Sequence, residues 1–127
     1  MAKILIVDDD PDITEAASIF LENEGFEVAC AHDKTSGMAA VESFKPDLLI
    51  LDVMMEQPDD GMTMAQELRR KSFTQPILML TSIGMVTGLQ YGSDDDLVPV
   101  EEFQEKPVEP ATLIAKVKRL LEKKKEG

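Results

Sequence analysis

Five short apolar runs are spaced along the chain, at Lys3 to Val7, Phe26 to Cys30, Leu48 to Leu51, Pro76 to Leu80 and Glu102 to Glu105, with helix-like segments between them. The first four are rich in Ile, Leu and Val and predict strands. The fifth is the weakest, because Phe103 is its only large apolar residue. Strands that alternate with helices need right-handed crossovers, which predicts one doubly wound, five-stranded parallel sheet with helices on both faces. A length of 127 residues fits a single domain spanning 1–127, with no separate effector domain expected.

The intervening segments carry recognisable starts and stops. Ile13, Ala16, Ala17, Phe20 and Leu21 recur at offsets that place them on one helical face; Asp10 and Pro11 open that helix and Gly25 closes it. Asp33 caps a second helix with Met38, Val41 and Phe44, which Pro46 ends. A third runs from about Met62 to Lys71 and buries Ala65 and Leu68. After Pro110, Leu113, Ile114, Val117, Leu120 and Leu121 form one stripe, with Lys116, Lys118 and Arg119 opposite. Between Ser82 and Gly92, Gly84, Gly88 and Gly92 fall four apart, so the fourth helix expected there is short or irregular.

Charge and cysteine usage narrow the setting. Hydrophobic residues make up 43% of the chain and charged residues 30%, the balance of a globular protein. Thirteen basic residues against 25 acidic ones give a formal net charge of -12, a field that repels nucleic acid and anionic lipid. Neither direct DNA binding nor a membrane is therefore expected. The single cysteine, Cys30, is read as packing, and His32 as a surface loop residue. With no signal-peptide pattern and no apolar run long enough to span a bilayer, the expected location is cytoplasmic.

Asp8 and Asp9 stand at the end of the first strand and Asp52 at the end of the third, so a parallel sheet brings them to one edge. Two like charges roughly 4 Å apart repel by about 4 kcal/mol at an effective dielectric near 20, so the cluster calls for a cation or a bound proton. Mg2+, a hard ion that takes oxygen ligands, suits it. Thr81 and Lys106 follow the fourth and fifth strands and add a hydroxyl and an ammonium to the same edge. A carboxylate nucleophile, a metal and lysine to neutralise charge, and a hydroxyl donor are the parts of a phosphoryl-transfer site. Each alone has a bland explanation: Asp8-Asp9-Asp10 as a helix cap, Asp52 as a turn residue, Lys106 as a surface charge. Their coincidence, in order, at four strand ends outweighs it.

The segments Ile-Val-Asp-Asp-Asp-Pro, Leu-Ile-Leu-Asp-Val-Met-Met, Leu-Met-Leu-Thr-Ser and Glu-Lys-Pro resemble the signatures of two-component receiver domains, and the resemblance extends over nearly the whole chain. It implies a flavodoxin-like fold, a histidine kinase or phosphotransfer protein as phosphodonor, and Asp52 as phosphoacceptor. It further implies Mg2+ held by Asp8, Asp9, Asp52 and the backbone carbonyl of Met54, with Thr81 and Lys106 on the phosphoryl oxygens. Phe103 occupies the switch-aromatic position, and a plain core residue of the fifth strand is an equal and compatible reading of it. Phosphorylation would reshape the surface around the expected fourth helix, the fifth strand and the final helix for a downstream protein target, with homodimerisation left open. Such a domain is a regulator and not a turnover enzyme, one that assists its own phosphorylation and slow autodephosphorylation.

The chain departs from the family pattern after Asp52, where Glu56-Gln57-Pro58-Asp59-Asp60-Gly61 displaces the usual proline, and in its glycine-spaced stretch after Thr81. Those loops favour the alternative, an interaction or dimerisation module that works without phosphorylation; the intact acidic cluster and Lys106 argue against it. Met54 and Ile83 put apolar side chains where polar ones assist hydrolysis in some members, so a long-lived phosphorylated form is expected. A phosphatase using Asp8 and Asp10 in an Asp-x-Asp pattern would need a longer core and a cap.

Overall fold

The computed structural model describes residues 2–53, 55, 60–81, 100–105 and 109–126, with side chains given through residue 122. In chain order the elements are β1 (Lys3–Val7), α1 (Pro11–Asn23), β2 (Glu27–Ala31), α2 (Lys34–Phe44), β3 (Leu48–Asp52), α3 (Asp60–Arg70), β4 (Ile77–Thr81), β5 (Glu102–Glu105) and α4 (Pro110–Glu126). All pairings are parallel and the strand order is β2-β1-β3-β4-β5. The chain direction across the sheet reverses between β1 and β3, and ligand crevices open at the carboxyl ends of the strands flanking such a point.

The central strands alternate their side chains between two apolar layers. Leu5, Val7, Leu49, Leu51, Ile77 and Met79 meet Val41 of α2 and Met64, Ala65 and Leu68 of α3. On the other face Ile4, Ile6, Leu48, Ile50, Leu78 and Leu80 meet Ala17 and Leu21 of α1 and Leu113, Val117 and Leu120 of α4. β3 and β4 are buried throughout, which explains their unbroken apolar sequence.

Local signals set the helix ends. Asp10 accepts the Asp12 amide at 2.9 Å, and Pro11 enters the first turn of α1 where its missing N–H costs nothing. Gly25 beyond this helix has φ 94, a left-handed conformation that favours glycine. Asp33 accepts the Ser36 amide at 2.7 Å to start α2, which stops one residue before Lys45 and two before Pro46.

Several expectations shift. β2 runs one residue later than Phe26 to Cys30, and β4 starts at Ile77, since Pro76 has no amide to donate. The third helix begins at Asp60, ahead of Met62. On α1, Thr14 is buried and Ala16 is exposed, a rotation of the inward face by part of a turn. Cys30 is exposed and not packed inside, because β2 is an edge strand. His32 is exposed as expected, with its Nε2 3.1 Å from the Thr14 hydroxyl. The irregular fourth helix expected over 82–92 lies outside the described residues.

Candidate functional site

The pairing of Val7 with Leu51 puts the residues that follow them, Asp8 and Asp52, side by side at the sheet edge. Asp8 is fully buried and Asp52 is 3% exposed, while Asp9 stands in solvent. One carboxylate oxygen from each of the three lies within 4.8 Å of the others. Asp8 is fixed at both ends of its residue: its amide donates to the Ala31 carbonyl at 3.1 Å, and its Oδ1 accepts the Asp10 amide at 3.0 Å. Asp10 belongs to the helix cap and leaves the other two aspartates to face the crevice.

At the 4.8 Å limit each pair of ionised carboxylates repels by about 3–4 kcal/mol at an effective dielectric near 20. Burial of two of them strengthens the demand for a counter-charge. An all-oxygen donor set of this size fits a hard divalent cation, in keeping with the expectation drawn from the sequence. Softer metals would want the imidazole or thiolate that the cluster lacks.

Thr81 ends β4, one residue past Leu80, the partner of Asp52. It is fully buried, and its hydroxyl has no hydrogen-bond partner among the described residues. A buried hydroxyl left without a partner carries a desolvation cost that a phosphoryl oxygen beside Asp52 would remove. Phe103 pairs with Met79 across the sheet and packs against the α2 and α3 layer, which by alternation is also the face of Thr81. It is half-buried. Lys106, Met54, Glu56 and Ile83 lie outside the described residues.

Gly61 escaped the sequence reading. A Cβ there would come 2.0 Å from the Asp52 carbonyl oxygen and 2.6 Å from the Val53 Cα, so only glycine allows α3 to start against the end of β3. The Gly61 amide donates to the Val53 carbonyl at 2.9 Å, and the Val53 amide to the Leu80 carbonyl at 3.0 Å. These two bonds hold the chain that leaves Asp52. The signal available was a glycine in the first turn of a helix, where a residue with a side chain is ordinarily preferred.

The family model described as "Response regulator receiver domain" matches residues 4–118. The chain is 40% identical over 124 residues to "Regulatory protein VanRc" of Enterococcus gallinarum, covering 94% of this chain and 49% of that protein. It is 37% identical over 123 residues to "DNA-binding response regulator MtrA" of Mycolicibacterium smegmatis, covering 94% and 50%. Among solved structures, a putative response regulator from Chloroflexus aurantiacus superposes with a TM-score of 0.81 at 31% identity, covering 94% of this chain and 97% of that one.

The chain spans about half the length of the curated relatives it matches. This corrects the expectation of no direct DNA binding, since relatives alike over nearly all of this chain are named as DNA-binding regulators. The net charge of -12 describes the field of these 127 residues alone and puts no constraint on DNA contact made by another part of a longer protein.

Proposed function

Because the chain belongs to the response regulator receiver-domain family, we propose that it is the phosphoacceptor of a two-component system, with Asp52 as the residue modified. The observation that carries this reading is the meeting of buried Asp8 and Asp52 with exposed Asp9 at the edge where Thr81 also ends its strand. Mg2+ is the proposed metal, held by Asp8, Asp9, Asp52 and the Met54 backbone carbonyl; when bound it supplies positive charge against the carboxylates and the transferring oxygens.

An Asp52 carboxylate oxygen attacks the phosphorus of a phosphohistidine on the kinase. A new P–O bond forms, the P–N bond breaks, and the imidazole leaves with the electron pair. The Thr81 hydroxyl donates to one phosphoryl oxygen, and the Lys106 ammonium pairs with another. Drawing Thr81 toward Asp52 opens space on the face it shares with Phe103, and the aromatic ring follows. The outcome is a population shift driven by contacts that exist only in the phosphorylated state.

The domain acts as a regulator that assists its own phosphorylation and loses the phosphoryl group slowly by hydrolysis. With Met54 and Ile83 both apolar, the acyl phosphate is long-lived. Substituting Asn at position 54 and a basic residue at position 83 should shorten its lifetime by on the order of tenfold; an unchanged lifetime would remove that explanation. Reduction of the phosphorylated protein with borohydride converts an aspartyl phosphate to homoserine, and peptide mapping should find it at residue 52. Homoserine elsewhere would refute the assignment.

A further inference from the structure

β5, like the other edge strand β2, is seated unlike the central strands. β3 and β4 are buried throughout and apolar up to their terminal Asp52 and Thr81, whereas β5 has Phe103 half-buried and Gln104 as its one buried residue. The Gln104 Oε1 has no hydrogen-bond partner among the described residues, so burying this amide opposes the seating. Besides its ladder to β4 and the packing of Phe103, charged side chains hold the strand from both faces. Arg69 on α3 donates to Glu101 at 2.7 Å and also grips the Phe73 and Gln75 carbonyls at 2.9 Å each. The same Glu101 carboxylate accepts the Ile77 amide at 2.9 Å, tying the approach to β5 to the start of β4. From the opposite face, α4 sends Arg119 to Glu102 and Lys116 to the Phe103 carbonyl, the latter at 2.6 Å.

We propose that Arg69, Lys116 and Arg119 form an ionic latch that sets the seating of β5, so that ionic strength governs how readily the strand bearing Phe103 opens. The pairs are open to solvent: side-chain exposure is 24% and 44% for Arg69 and Glu101, and 55% and 29% for Arg119 and Glu102. Salt therefore reaches and screens them. Elsewhere the effect of salt has the opposite sign. A chain with net charge -12 repels itself, and screening that repulsion stabilises the fold as a whole. The latch stands whether or not Asp52 is phosphorylated; only its consequence for Phe103 as a signalling switch rests on the function proposed above.

Hydrogen exchange on the unphosphorylated full chain, in dilute buffer and in about 1 M NaCl, separates the two effects. Amides of 101–105 should exchange roughly tenfold faster in high salt, while those of 77–81 slow or stay constant. Arg119→Gln, at the more exposed of the two latch arginines, and Lys116→Met should each speed exchange of β5 in dilute buffer and weaken its response to salt. Exchange in β5 as slow as in β4 at both salts, or a response to salt shared equally by all strands, would overturn the latch. So would variants that exchange like the parent.

Discussion

Asp8, Asp9 and Asp52 are held close enough to repel one another, and that repulsion is a cost borne by the metal-free fold. Asp52→Asn removes a buried charge while keeping the shape of the side chain. It should raise the metal-free stability by on the order of 1–2 kcal/mol, seen as a higher Tm, and lose the further rise that Mg2+ gives the parent. A variant no more stable than the parent, or one still stabilised by Mg2+, would mean that the three carboxylates do not act as a unit. Thr81 gives a complementary test, since its buried hydroxyl has no partner among the described residues. Thr81→Val should fold with unchanged or slightly greater stability, within about 1 kcal/mol, while the phosphorylated form loses its effect on Phe103. Stability lost by several kcal/mol would show the hydroxyl to be structural.

Gly61 and Asp33 show how the ends of elements carry function and stability. Gly61→Ala drives a Cβ into the Asp52 carbonyl, so α3 must back away from β3. A loss of about 1–3 kcal/mol is expected, together with weakened Mg2+ binding, because the chain leaving Asp52 moves with the helix. Asp33 caps α2, and the Ser36 backbone amide, then the Ser36 side chain, hold its carboxyl below the usual 3.8 against a smaller opposing effect of burial. A depressed folded-state pKa gives a contribution that is complete above the unfolded value and disappears as pH falls through the folded one. Asp33→Asn keeps a capping acceptor without the charge, so its Tm should fall less steeply than the parent's on acidification below about pH 4. Identical acid profiles would exclude the linkage.

The central strands and helix starts were readable because Ile, Leu and Val runs and Asp caps act over a few residues. The inward phase of α1 was not, since Ala16 and Ala17 are adjacent and alike, and it took the sheet to bury Thr14 beside Ala17. The exposure of Cys30 likewise depends on β2 lying at the edge, which no local pattern states.

Across the whole molecule, the pairing of β1 with β3 turns distant aspartates into one site, and their places at the ends of strands in a parallel sheet made that meeting foreseeable. Gly61 and Lys116 were missed because their roles appear only when a helix is docked, one against the Asp52 carbonyl and the other on the Phe103 carbonyl. Net charge is silent on DNA contact for a different reason: it describes the field of these 127 residues and not that of a longer protein that contains such a domain. The central claim is that this assembly accepts a phosphoryl group at Asp52. Intact mass measured after incubation with Mg2+ and phosphoramidate, for the parent and for Asp52→Ala, tests it most directly. The account predicts one added phosphoryl group on the parent, absent from the variant and absent without the metal. No addition to the parent under conditions that label another receiver domain, or equal addition to Asp52→Ala, would contradict it.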